Sequence, residues 1–230
     1  MSNFLCTICV RQNSKEIKNK NFKKFLNSNL TNITISQSKK IKLFDKIVLS
    51  TDLNKKKLLK INNVDFIINR PKKLANDLVS KLDAIKHAHI ESEKYFKKKF
   101  DYIVDLDVTS PLRKIKDIKD CIKVFIKNEN SSNLITGTPA KKNPYFNQAK
   151  VFKGKAYPVI KSKIKRRQQV KNIFDLNASI YIWRRKYLLS CKSVFMHKTI
   201  FYEMPNERSI DIDSKLDFKI AEFLFNKNDK

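Results

Sequence analysis

Phe4-Leu5-Cys6-Thr7-Ile8-Cys9-Val10 is an almost unbroken apolar run that stops at Arg11-Gln12-Asn13. A short apolar run without alternation marks a strand buried on both faces, the habit of parallel sheets. Similar runs recur at Lys46–Thr51 (KIVLST), Asp65–Asn69 (DFIIN), Asp101–Leu106 (DYIVDL), Asn133–Thr138 and Ser179–Trp183 (SIYIW). Helical stretches fall between and after them: Leu30–Ile41, Lys55–Ile61, Leu78–Phe96, Ile115–Asn128 and a closing Asp217–Phe225. Strands alternating with helices at this spacing predict βαβ units, hence an α/β fold with a mostly parallel central sheet flanked by helices. Thr109-Ser110-Pro111 closes the fourth strand, because proline cannot donate to a ladder. The pattern changes from about Pro139. Lys141–Val170 is polar, very basic and weakly periodic, and reads as an inserted lobe or a solvated arm.

The chain has 230 residues, with 41% hydrophobic content and 16 Phe, enough for one sizeable core. No apolar run reaches the ~18 residues of a membrane span, and Met1–Asn13 has no basic region followed by an apolar one, as a secretory signal would. A cytoplasmic protein is therefore expected. Fifty basic against 22 acidic residues give +28. Such a surplus attracts polyanions, yet the lysines are spread along the chain, as on a solvated surface. Cys6 and Cys9 form a C-x-x-C inside a strand, where positions three apart face opposite ways. A redox pair would open a helix, and zinc would need two more close ligands. Buried, unpaired cysteines are expected. The chain has just two glycines, Gly137 and Gly154, which excludes a glycine-rich phosphate loop.

Ligands of parallel sheets bind at the carboxyl ends of the strands. The loops there are Arg11–Asn21, Asp52, Arg70–Ser80 and Asp107–Arg113, all polar. Arg11, Lys15 and Lys20, with Ser14 as a further donor, could surround a triphosphate; a plain solvated loop is the alternative. Nucleotidyl transfer rests mainly on positioning and charge stabilisation, so clustered cations suit it. Asp211-Ile212-Asp213 puts two carboxylates on one face of an extended segment, a donor set suited to Mg²⁺. Asp213-Ser214 could equally be a helix cap. Asp105-Leu106-Asp107 leading into Thr109-Ser110 reads as a polar pocket or an ordinary turn.

Together these elements resemble a known family. R-x-x-S-K-x-I-x-x-K-N follows the first strand, and R-P-x-x-L-A-x-D spans Arg70–Asp77. T-S-P-L-R follows a central strand, and N-A-S-I-Y-I and D-I-D-x-x-x-D-F come near the end. In that order they are similar to the acylneuraminate cytidylyltransferases, also called CMP-sialic acid synthetases, from about Phe4 to Ala221.

The resemblance implies a Rossmann-like nucleotidyltransferase domain over residues 1–230 that joins CMP from CTP to a nine-carbon keto sugar acid. It also implies a homodimer, with a basic segment at 139–178 forming a small dimerisation lobe that reaches the neighbouring sugar site. Arg11, Lys15 and Lys20 would hold the triphosphate, and Asn21 the ribose. Arg70, with Ala75, Asp77 and Ser80, would read cytosine. Asp211 and Asp213 would bind Mg²⁺ and, with Arg11 and Lys20, form the catalytic set. Asp107, Thr109, Ser110, Arg167, Gln168, Asn177 and Tyr181 would line the sugar site. Three positions depart from the usual pattern: Asn13 for Gly, Asp107 for Gln and Asp175 for Arg. The last two add negative charge near the sugar, a pattern closer to relatives that activate legionaminic acid. An eight-carbon keto acid is a nearby alternative, which D-I-D and R-P-x-x-L-A-x-D speak against. A non-enzymatic nucleic-acid-binding protein is a more distant one. Lys161–Arg167 (KSKIKRR) contains no aromatic residue for base stacking, which weighs against it.

Overall fold

The computed structural model describes residues 2–12, 16–53, 61, 63–76, 79–163, 166, 169–170 and 172–228. The opening run forms β1 (Phe4–Cys9) in the middle of an eight-stranded sheet. It is flanked by β4 (Lys46–Thr51) and β6 (Tyr102–Leu106), both parallel to it, and β5 (Phe66–Asn69) extends the sheet beyond β4. Short β2 (Lys24–Phe25) and β3 (Ser28–Asn29) form a separate ribbon. Helices α1 (Leu30–Lys39), α2 (Lys81–Phe96) and α3 (Ile115–Lys127) alternate with the strands, as the sequence predicts. The expected helix over 55–61 falls almost wholly outside the described residues. Helix α2 begins three residues later than expected, because Ser80 caps it by accepting the Asp83 N–H.

The other half of the sheet is mixed. β11 (Ile180–Arg184) runs antiparallel between β6 and β7 (Asn133–Pro139). β10 (Phe174–Leu176) pairs antiparallel with the far end of β7, and β12 (Thr199–Glu203) pairs parallel with β7. The tail of the expected inserted segment, 174–176, thus belongs to the central sheet. Residues 149–158 within that segment form an exposed hairpin of β8 (Ala149–Phe152) and β9 (Lys155–Pro158), turning at Gly154 with φ +75°. β10 and β11 are separated by a kink where Ala178 adopts φ +49°. Asn177 pins the kink: its Oδ1 accepts from Thr136 Oγ1 at 2.7 Å and from the Ser179 N–H at 3.1 Å. Gly137 is required where β10 and β12 close on β7, since a Cβ there would sit 2.6 Å from the Asp175 carbonyl oxygen.

Burial matches the apolar runs. Leu5, Cys6, Ile8, Val104, Leu106, Ile180, Ile182 and Trp183 are fully buried. The cysteines are free thiols, Cys6 in the main core and Cys9 packed toward the other face. Burial pushes Cys9 up to about 12, which removes it from redox chemistry near neutrality. No helix among the described residues is long and apolar enough to cross a membrane. Short α4 (Arg185–Ser190) and the closing α5 (Lys215–Asn228) complete the fold.

On α2, His89 is fully buried and neither ring nitrogen has a hydrogen-bond partner among the described residues. Burial, only partly offset by Glu93, lowers its pKa from 6.5 to about 4. Below pH 6.5 the unfolded chain therefore binds a proton that the folded chain refuses until about pH 4. Stability is full above that window and falls as pH drops through it, by about 3 kcal/mol over its whole width. His89→Leu is expected to flatten this slope in urea melts between pH 7 and 4.5; an unchanged slope contradicts it.

Candidate active site

At the carboxyl ends of β1, β5 and β6 lies a cavity of about 410 Å³. Its walls bring together Arg11, Lys20, Asn21, Arg70, Ala75, Ser80, Asp107, Thr109, Asp211 and Asp213. Residues far apart in sequence meet here because the strands that carry them end at the same edge of the sheet. Ser14, Lys15, Asp77, Arg167 and Gln168 lie outside the described residues, as does Asn13. Ser110 and Asn177 are buried and bonded to the protein itself. Ser110 Oγ donates to the Asn177 carbonyl at 2.9 Å, and Asn177 Nδ2 donates to Ser209 Oγ at 3.0 Å. Tyr181 is buried under Lys81, whose ammonium lies 5.6 Å from its ring centroid. Asp175 is exposed on β10 and accepts from the Lys141 N–H.

One side of the cavity is cationic. The loop after β1 is anchored by the Gln12 N–H donating to Asp52 Oδ1 at 2.7 Å. It turns through Asn19, in the left-handed region at φ 57°, into the 3-10 turn Lys20–Phe22. Asn tolerates that conformation. Asn21 is buried and donates to the Arg11 carbonyl at 3.2 Å, while its Oδ1 is unpartnered among the described residues. Arg70 is nearly buried and fixed to the end of β4. Its Nη2 donates to the Ser50 carbonyl at 2.7 Å and its Nε to Ser50 Oγ at 3.2 Å.

The other side is acidic, and the fold holds it rigidly. Asp105 and Asp107 end β6. Thr7 Oγ1 donates to Asp105 Oδ1 at 2.8 Å. Lys81, the first residue of α2, reaches across the cleft to within 2.8 Å of Asp105 Oδ2 and 2.5 Å of Asp107 Oδ2. Asp107 Oδ1 accepts from the Thr109 N–H and Oγ1, both at 3.0 Å. Burial pushes the Asp107 carboxyl up, but Lys81 and Thr109 outweigh it and hold it below its usual range. Burial likewise works against the Lys81 charge, and Asp105 and Asp107 more than restore it.

Asp211 and Asp213 come from the segment before α5. The Ile212 N–H donates to the Thr109 carbonyl at 2.9 Å, locking this segment to the β6 loop. Arg208 grips Asp117 with two bonds of 2.9 Å, tying it also to the start of α3. Ser214 and Asp217 form a reciprocal cap at the start of α5, so Ser214, not Asp213, does the capping. Asp213 is left exposed, 3.1 Å from Lys20 Nζ, which also donates to the Ile212 carbonyl. Asp211 Oδ1 is buried without a hydrogen-bond partner among the described residues. Burial, then the charges of Asp107 and Asp213, raise the Asp211 pKa to about 6. A hard-oxygen donor atom left unpaired beside two like charges is what a divalent cation would satisfy.

The sequence reading did not single out two residues of this wall. Lys81 carries no motif signal; the hint was its place directly after the Arg70–Ser80 loop. Arg113 sits in T-S-P-L-R, and its guanidinium is fully buried. It donates to Gln37 Oε1 and Thr34 Oγ1, both at 3.0 Å, to the Ser179 carbonyl at 2.8 Å and to the Asp107 carbonyl. Burial lowers its pKa to about 10, still fully charged at neutrality.

Comparison with known proteins places the sequence in a family and the fold among solved structures. The family model described as Cytidylyltransferase matches residues 5–228. Post-translational flagellin modification protein B of Campylobacter coli is 44% identical over 229 residues, covering 97% of this chain and 95% of that protein. CMP-N,N'-diacetyllegionaminic acid synthase of Campylobacter jejuni subsp. jejuni is 40% identical over 225 residues, with the same coverage of each. The solved structure of CMP:2-keto-3-deoxy-manno-octonic acid synthetase complexed with CTP superposes with a TM-score of 0.68 at 12% identity. It covers 99% of this chain and 100% of that one, a likeness of fold. With its sequence matched almost end to end and its cationic and acidic walls meeting at the strand ends, the chain belongs to the cytidylyltransferase family.

Proposed function

We infer that this chain transfers CMP from CTP to the anomeric hydroxyl of a nine-carbon 2-keto-3-deoxy sugar acid of the legionaminic type, releasing pyrophosphate. The observation that carries the reading is the two-sided cavity, cationic at Arg11, Lys20 and Arg70 and acidic at Asp107, Asp211 and Asp213. The 40% identity to a CMP-N,N'-diacetyllegionaminic acid synthase supports the sugar class.

The roles follow from the chemistry of each wall. Arg11 and Lys20, with Ser14 and Lys15, hold the triphosphate and stabilise the leaving pyrophosphate. Asn21 Oδ1 accepts from the ribose. Arg70, immobilised by Ser50, faces cytosine with Ala75, Asp77 and Ser80. The sugar lies toward Asp107 and Thr109, with Ser110 and Asn177 bracing the wall behind; the roles given to Arg167, Gln168 and Tyr181 in sugar binding rest on the family resemblance alone. The sugar oxygen bonds to the α-phosphorus as the bond to the bridging oxygen of pyrophosphate breaks, and the hydroxyl proton is lost to water. Asp211 and Asp213 would hold Mg²⁺, which neutralises charge on the phosphates when bound.

The exposed hairpin 149–158 offers Val151, Phe152 and Tyr157 to solvent, with Val159 and Ile160 beside it. Apolar side chains grouped this way suit burial against a second copy. A homodimer through residues 139–178, completing the neighbouring sugar site, is the assembly we favour. A cytoplasmic location fits an enzyme fed by CTP.

The test is product formation. With CTP, Mg²⁺ and N,N'-diacetyllegionaminate, the protein is expected to yield a CMP-glycoside and pyrophosphate. EDTA should stop this and added Mg²⁺ restore it; undiminished turnover in EDTA removes the metal from the account. The Asp213 side chain is 78% exposed, so Asp213→Ala should leave the melting temperature nearly unchanged while lowering kcat by about 10²–10³-fold. Near-normal kcat contradicts the role given to Asp213. Gel filtration should give about twice the 27.1 kDa of the chain, and V151D/F152D should give monomers with a raised sugar KM. Wild-type protein that elutes as a monomer contradicts the shared site.

A further inference from the structure

Lys81 is a half-buried cation of the cavity with no part in the scheme above. It belongs to neither wall by sequence: it starts α2, directly after the Arg70–Ser80 loop, and its ammonium crosses to the end of β6. There it lies 2.8 Å from Asp105 Oδ2 and 2.5 Å from Asp107 Oδ2. Asp105 is wholly enclosed, whereas Asp107 and Lys81 both line the cavity.

A carboxylate offers about four lone-pair positions. Those of Asp107 take the Thr109 N–H, Thr109 Oγ1 and Lys81 Nζ. One acceptor position remains among the described residues. Because Lys81 keeps the group ionised and fixed in direction, that position cannot turn into a donor. An amide side chain at 107 could present either an N–H or an oxygen; this carboxylate presents oxygen alone.

We propose that Lys81 and Asp107 act as one specificity-determining unit. Asp107 accepts a hydrogen bond from an N–H or O–H donor of the acceptor sugar, and Lys81 positions it by holding the carboxylate in place. The ligand class is a sugar acid with a hydroxyl or acylamino donor directed at β6. The inference rests on the functional reading above.

The experiment is a double-mutant cycle of Lys81→Met, Asp107→Asn and both together. It reads KM for N,N'-diacetyllegionaminate, Kd for CTP by calorimetry without sugar, and thermal melting. Each single change should raise the sugar KM about 10- to 100-fold, the loss expected for one hydrogen bond to a charged group. CTP affinity should move less than about threefold. The double variant should be no worse than the poorer single, since residues acting as a unit do not add. Lys81→Met leaves Asp105 buried without its cation, so if it does not fold, Lys81→Arg takes its place. Retention of most sugar affinity by Lys81→Arg then supports the positioning role. Additive losses, a parallel loss of CTP affinity, or lowered melting with unchanged sugar KM would each overturn the proposal. Wild-type protein that binds CTP but turns over no nine-carbon keto acid overturns the functional reading itself, and this inference with it.

Discussion

Four carboxylates, Asp105, Asp107, Asp211 and Asp213, meet at one end of the sheet, and their mutual repulsion governs the architecture around them. Like charges at contact distance repel by ~4 kcal/mol at the effective dielectric of a protein surface. Three of the four are met by a cation. Lys81 serves the two on β6, Lys20 meets Asp213, and the buried Arg113 guanidinium holds the Asp107 carbonyl from behind. Asp211 Oδ1 is buried with neither a hydrogen bond nor an ion pair among the described residues. The wall is therefore built with a deficit of positive charge at one place, where the phosphates of a nucleotide and their cation would arrive. Asp105 is wholly buried, so the Lys81 and Thr7 contacts that meet it hold the end of β6 in place before any ligand arrives.

The bonds that fix the wall also explain the mixed half of the sheet. Arg113 joins α1, the end of β6 and the turn at Ser179, and Asn177 pins the kink between β10 and β11. That kink lets β11 lie beside β6 while β10 follows β7 outward. The Thr109–Ile212 bond and the Arg208–Asp117 fork then bring a segment from near the carboxyl terminus onto β6. The two-sided cavity follows from strand ends and a few long-range bonds, without a glycine-rich loop.

Much of this was legible in the sequence, for identifiable reasons. Strands β1, β4, β6 and β7 are buried on both faces, and β5, though a part-exposed edge strand, keeps a short apolar run, so composition alone locates them. β12 (Thr199–Glu203) was missed because it is a half-exposed edge strand with charge and hydroxyls in it. The start of α2 was placed at Leu78 because apolar periodicity continues upstream of Ser80, and only the cap sets the true boundary. Arg11, Lys20, Arg70 and Asp107 are legible because loops after parallel strands converge, and Asp211 and Asp213 because two carboxylates alternate in an extended D-x-D. Lys81 and Arg113 are not, since their roles depend on where a long side chain ends across the cleft, which no local pattern encodes. Ser110 and Asn177 were expected beside the sugar, and their polar groups are used inside the protein. The +28 charge, suggestive of nucleic acid, is carried mostly by lysines dispersed over the surface.

The measurement that bears most directly on this account is a crystal structure with CTP, Mg²⁺ and an unreactive analogue of the sugar acid. The triphosphate should lie between Arg11 and Lys20, the metal against Asp211 and Asp213, and the sugar against Asp107. A nucleotide bound with its phosphates away from Arg11 and Lys20, or a metal that touches neither Asp211 nor Asp213, would contradict it.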